Sequence, residues 1–174
     1  MKIERVDSKT VWNGKLFDVV IDTIKADRQL ERQYIRTNFK AVVILPVTDD
    51  NKVILVKQYR SPANEMLLEF PAGKTEPGED VPKTAARELA EETGYVAGKL
   101  EYLGKAYASP GVSSEMYHFF AATSLVKGDA HPDEDEDTEP LELPFDEFVN
   151  WINSGKITDT KTIAVTGLWL MRKK

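Results

Sequence analysis

The sequence predicts an α+β fold, with a mixed β-sheet packed between helices and extra antiparallel strands ahead of it. Three observations carry this. Ala41 to Val47 is a near-continuous apolar run, as a buried strand requires. Thr10 to Ala26 alternates instead and carries Asn13-Gly14, a strong hairpin turn signal. Helical patterns over Lys83 to Thr93, Phe145 to Ser154 and Thr160 to Arg172 alternate with further strand-like runs.

Taken in order, the Asn13-Gly14 turn joins Val11-Trp12 to a segment from Leu16 to Ile21, and Leu30 to Arg36 reads as the next strand. These strands bury little by themselves, and the alternating segment needs a surface to bury against. After the apolar run, Asp49-Asp50-Asn51 turns the chain into a strand from Lys52 to Tyr59. Met66 to Phe70 then leads through Pro71-Ala72-Gly73 into a loop. Leu100 to Ala108 and Met116 to Thr123 read as strands separated by Ser109-Pro110-Gly111, and Leu141 to Leu143 as a short strand behind an acidic stretch. Gly155 parts the last two helices, and Asp159 is available to cap the second. No repeat or linker is visible, so the expectation for 174 residues is one domain, with strands over 1–38 and a core over 39–174.

Hydrophobic residues at 41% and charged residues at 30% are ordinary for a globular protein. The net charge of -6, with no basic block, argues against nucleic acid as the main partner. Cysteine is absent, which excludes disulfides and thiolate metal sites, and two histidines make no zinc set. Met1 to Arg5 lacks the apolar run of a signal peptide and no segment reaches membrane-spanning length, so the expectation is a cytoplasmic protein without a membrane partner.

The chemistry concentrates between Gly73 and Tyr95. A glycine- and proline-containing loop runs into Glu79 and Asp80, either of which could cap the helix that follows. Pro82 falls in the first turn, where it is tolerated, and Gly94 sits where a left-handed residue would end the helix. Ala85, Ala86 and Leu89 make a small apolar stripe suited to lie against a sheet. Glu88 and Glu92 stand one turn apart on another face, with Glu91 beside them. A solvated acidic face is the ordinary reading of such a set. Here the carboxylates come late in the helix, where negative charge opposes the helix dipole, and that cost asks for a cation. Carboxylate oxygens suit a hard divalent ion such as magnesium.

Gly73, five residues, Glu79, seven residues, then Arg87-Glu88-Leu89-Ala90-Glu91-Glu92-Thr93-Gly94 resembles the Nudix hydrolase box at every fixed position. Tyr95 stands where an aliphatic residue is usual. The resemblance implies an α/β/α sandwich and magnesium-dependent cleavage of a diphosphate linked to another group, with manganese as a possible substitute. Features outside the box resemble the ADP-ribose and nucleoside-diphosphate-sugar pyrophosphatase branch: Leu68-Glu69-Phe70-Pro71-Ala72-Gly73, Ser109-Pro110-Gly111 with Pro110 fifteen residues beyond Tyr95, and Asp159-Thr160-Lys161-Thr162-Ile163. Other Nudix substrates (GDP-mannose, a dinucleoside polyphosphate, a damaged nucleoside triphosphate) and a non-catalytic ADP-ribose sensor are the alternatives. Sensors can lose the metal glutamates, and this box keeps them.

Carried over by position, the resemblance implies Glu88 and Glu92 as principal metal ligands, Glu91 as a further ligand or bridge, and the carbonyl of Ala72 completing the site. Arg87 would orient a neighbouring glutamate, and Glu79 would be a secondary ligand or loop anchor. Arg60, Glu69 and Pro110 are the candidate substrate contacts; Arg60 matches a phosphate-contacting arginine, and an exposed strand-end arginine is the other reading. His118 reads as structural. For the general base, Glu139-Pro140-Leu141-Glu142-Leu143-Pro144 resembles a strand preceded by a catalytic glutamate, with Pro140 a departure that blurs the register. The ranking is Glu139, then Glu136 in the acidic stretch, then Glu115 in the other loop. Branch members also carry amino-terminal strands that dimerise and reach toward the partner's substrate site, which implies a homodimer.

Overall fold

The computed structural model describes residues 2–128 and 139–173. Three amino-terminal strands, β1 (Glu4–Asn13), β2 (Phe17–Lys25) and β3 (Gln29–Thr37), form an antiparallel sheet in the order β1-β2-β3. Asn13 pairs with Asp18 across the expected hairpin, and β1 runs back to Glu4, well before the alternating stretch. Gly14 is needed there for space, because a Cβ on it would run into the Trp12 ring. This sheet joins the rest of the chain through Ile35, whose N–H donates to the Val112 carbonyl at 2.8 Å and whose carbonyl accepts from Ser114 N–H at 2.9 Å.

The core strand β4 (Ala41–Pro46) is buried at every position. It pairs in parallel with β9 (Met116–Lys127) and antiparallel with β7 (Ala72–Lys74), while β8 (Tyr95–Tyr107) closes the four-stranded mixed sheet in the order β7-β4-β9-β8. A third sheet has β5 (Lys52–Arg60) between β10 (Glu139–Pro144) and β6 (Glu65–Glu69). Helix α1 (Val81–Thr93) covers one face of the mixed sheet; α2 (Phe145–Asn153) and α3 (Thr160–Arg172) pack with the other.

Strand alternation divides the core. Val42 and Ile44 meet Ala85 and Leu89 of α1, whereas Val43 and Leu45 point into the larger cluster with Phe70, Phe148, Val165 and Trp169. Each such buried aliphatic side chain contributes about 1.5–3 kcal/mol by leaving water. Two expectations need correction. Ala86 is exposed; Thr84, Glu88, Glu92 and Thr93 share the buried side with Ala85 and Leu89. The stretch read as loop at Ala72-Gly73 is the strand β7, whose three residues, one of them a glycine, show no periodicity, and which exists through its pairing with β4 from Ala41 to Val43.

Candidate active site

Helix α1 begins and ends as its local chemistry dictates. Asp80 takes the cap, accepting from the Lys83 N–H at 3.0 Å, and Gly94 ends the helix at φ 73°. That frees Glu79 for Arg87, which donates through Nε to Oε1 and through Nη2 to Oε2, both at 3.1 Å. Arg87 also donates to Glu91 Oε2 at 2.7 Å and to the Lys74 carbonyl at 3.1 Å, and lies 3.0 Å from Glu88 Oε1. One guanidinium thus ties the loop, the helix and β7 together. The Arg87 bond is the main reason the Glu79 carboxyl is held at about 2, and the Glu79 bond in turn raises Arg87 above its ordinary value.

Glu88 and Glu92, one turn apart, are both buried against β7. Gly73 makes room for this: a Cβ there would overlap the Glu88 carboxylate. The Ala72 N–H donates to Glu92 Oε2 at 3.3 Å. Glu91 flanks the pair and is engaged by Arg87. The donor set fits a hard divalent ion, since buried carboxylate oxygens crowd against a glycine backbone at the end of a strand. Among the described residues no three His, Cys, Asp or Glu groups stand close enough to hold an ion unaided. Magnesium does not require that, because it keeps several waters and takes one or two carboxylates together with substrate oxygens.

Beside this shelf lies a cavity of about 570 Å³, bounded by Ala72, Gly73, Lys74, Arg60, Glu69, Glu115, Tyr117, Asp159 and Lys161, with Leu16, Phe39, Pro62 and Leu67 on its apolar side. Glu69 is 1% exposed. Arg60 reaches it with Nε at 2.9 Å and Nη2 at 2.5 Å, and the Lys161 ammonium donates to the same Oε2 at 2.5 Å. Burial alone would raise the Glu69 pKa; the hydrogen bonds and charges of Arg60 and Lys161 outweigh it and hold the carboxyl below its ordinary range. Lys161 also donates to Asp159 Oδ1 at 2.9 Å, while Asp159 Oδ2 caps α3 by accepting from Thr162. Glu115 is half-buried, and that burial pushes its carboxyl up against the opposing effect of Lys161, Lys74 and Arg60.

The structure therefore brings Arg60, Glu69, Ala72 and Glu115 together around the cavity, with Arg87, Glu88, Glu91 and Glu92 on the adjoining shelf. Pro110 lies exposed on its turn and is not among the described residues lining the cavity. Glu139 opens β10 opposite Lys57, in the row that continues to Leu68, so it shares their face of the sheet and not that of Glu69. It does not line the cavity. Glu136 lies outside the described residues. His118 pairs with Lys105 and lies against Tyr102, away from the cavity lining. Lys161, Lys74 and Tyr117 were not anticipated as cavity residues. Lys161 had a readable signal: a cation in the first turn of a helix opposes the dipole and must be satisfied elsewhere.

Residues 37–164 match the NUDIX domain. Methanol dehydrogenase activator of Bacillus methanolicus is 35% identical over 91% of this chain and 87% of its own length. ADP-ribose pyrophosphatase of Bacillus subtilis is 36% identical over 90% of this chain and 86% of its own. GDP-mannose pyrophosphatase of Pectobacterium atrosepticum is 42% identical over 78% and 74% respectively. Among solved structures, an ADP compounds hydrolase superposes with a TM-score of 0.83 at 28% identity, covering 99% of this chain and 94% of that one. With the box intact, its arginine and glutamates assembled around Gly73, and the match spanning most of its length, the chain belongs to the Nudix family.

Proposed function

We propose that this protein hydrolyses the diphosphate bond of ADP-ribose or a related nucleoside diphosphate sugar, giving a nucleoside monophosphate and a sugar phosphate. The observation that carries it is the juxtaposition of the buried Glu88 and Glu92 with a cavity whose wall holds Arg60 and Lys161. An acidic chain meets an anionic substrate here with local positive charge. Glu88 and Glu92, with Glu91 and the Ala72 carbonyl beside them, would hold magnesium or manganese, which when bound offsets diphosphate charge and makes the attacking water more acidic.

The chain's own residues orient and move protons. Arg60, fixed side-on by Glu69, presents its Nη1 edge away from that carboxylate, where a phosphate oxygen can accept from it. Arg87 keeps Glu88 and Glu91 of α1 in place. Glu115 is the candidate base that lines the cavity, and burial makes its carboxylate more basic than an ordinary glutamate, as a base that takes a proton from water requires. The water oxygen adds to one phosphorus, and the bridging oxygen leaves with the other phosphate.

The 42% identity to a GDP-mannose pyrophosphatase favours GDP-mannose as the second substrate reading. Retained glutamates favour catalysis over sensing. We assign residues 39–174 to catalysis and 1–38 to a homodimer interface, since Trp12, Phe17, Val19 and Ile35 share one face of the first sheet and Trp12 is 51% exposed. Cytoplasmic residence fits this substrate class, and among the described residues no helix is long and apolar enough to cross a membrane.

The test is product analysis across a panel of nucleotide sugars with magnesium. AMP and ribose phosphate from ADP-ribose are expected. Turnover confined to dinucleoside polyphosphates or nucleoside triphosphates would replace the substrate, and ADP-ribose binding without turnover would restore the sensor.

A further inference from the structure

Lys161 is 7% exposed, yet its ammonium sits in the first turn of α3, where the helix dipole disfavours a cation. Its position costs desolvation as well. Two carboxylates stabilise it there. Asp159 contributes one oxygen while the other caps the helix, and Glu69 contributes the oxygen that it also offers to Arg60. Glu69 and Lys161 are 92 residues apart in sequence, so this contact fixes the end of β6 against the start of α3. A second tie runs alongside it: the Phe70 N–H donates to Thr162 Oγ1 at 2.8 Å.

The consequence falls on Arg60. Its guanidinium is half-exposed to the cavity and held by Nε and Nη2 on a carboxylate that is itself held by Lys161. Without Lys161, Glu69 would be held by Arg60 alone. With Lys161 on the same Oε2 that receives Arg60 Nη2, and Asp159 balancing the second cation, Glu69 is gripped from two sides and holds the guanidinium in one orientation.

We propose that Lys161 is a positioning residue for the diphosphate site, holding Glu69 so that Arg60 presents its free edge to a phosphate group. This rests on the reading of the cavity as a diphosphate site. Lys161→Met keeps the aliphatic stem and removes the charge. It should raise KM for ADP-ribose roughly tenfold or more, with a smaller change in kcat, because the loss falls on a substrate contact made in the ground state. Arg60→Ala should do the same, and the double variant should be no worse than Arg60→Ala alone, since one acts through the other. Lys161→Arg, which keeps the charge, should recover part of the KM, and Lys161→Gln, which removes it, serves in the cycle if the Met variant fails to fold. Multiplying effects in the double variant, or a lower melting temperature with KM unchanged, would overturn the proposal. A wild-type chain that turns over no nucleoside diphosphate sugar would sink the functional reading alone; the same cycle is then read on inorganic pyrophosphate affinity by calorimetry, where non-additivity supports the Lys161 role and additivity overturns it.

Discussion

Two charged clusters flank Ala72 and Gly73, and they are built in opposite senses. On the α1 side one cation, Arg87, serves Glu79, Glu88 and Glu91. On the cavity side one carboxylate, Glu69, serves Arg60 and Lys161. The first leaves negative charge in surplus; the second is balanced, because Asp159 also pairs Lys161, but it turns the Arg60 guanidinium toward the cavity. Under the proposed function, the divalent cation would meet the first and the diphosphate would meet Arg60 of the second. Their settings differ too: Arg87 is partly exposed, whereas Glu69 is sealed from water.

The largest expected effect separates the candidate bases. Glu115→Gln should lower kcat by about 10²- to 10⁴-fold with magnesium affinity little changed. Because burial raises Glu115, the acid limb of the kcat–pH profile should lie above the ordinary glutamate range and disappear in that variant. A full-strength Glu115→Gln enzyme, with the loss appearing in Glu136→Gln or Glu139→Gln, would move the role to that residue.

Gly73→Ala should come next. Its Cβ would occupy the space of the Glu88 carboxylate, and displacing a catalytic group by about 1 Å costs on the order of 10²-fold in turnover. Steady-state kinetics beside a thermal melt would show whether activity falls further than stability does.

Glu69→Gln tests the other cluster. It leaves Lys161 and Arg60 without their shared countercharge in a buried place, and breaking such a pair costs about 3–5 kcal/mol of folding stability. Denaturant titration measures it; a loss below about 1 kcal/mol would show the cluster to be well solvated.

The smallest effect concerns acid. Glu79 titrates at about 2 in the folded chain against 4.5 ordinarily. Its carboxyl is depressed, so the stability it contributes is present above pH 4.5 and is lost as pH falls from there toward 2. Glu79→Gln should flatten the melting temperature over that window, and an unchanged slope would contradict the pairing.

These clusters were unequally legible in the sequence. The shelf follows from local rules, because Asp80, Pro82, Gly94 and the glutamate spacing act within one helix and its caps. Ala86 was misplaced because neighbouring alanines lie about 100° apart and only packing decides which is buried. The second cluster depends on contacts across 92 residues, which no local pattern encodes. Glu139 was placed by motif alone, and its face is set by pairing with Lys57, a register that Pro140 obscured. The fold class was readable because Ala41 to Pro46 is apolar at nearly every position and buried at all of them.

The most direct measurement is AMP release from ADP-ribose as a function of magnesium for the wild type and Glu88→Gln, with the melting temperature of each. The wild type should require the metal, and the variant should fold normally while turning over at least about 10³-fold more slowly at saturating magnesium. Metal-independent hydrolysis, or a folded Glu88→Gln enzyme working near the wild-type rate, would contradict the account.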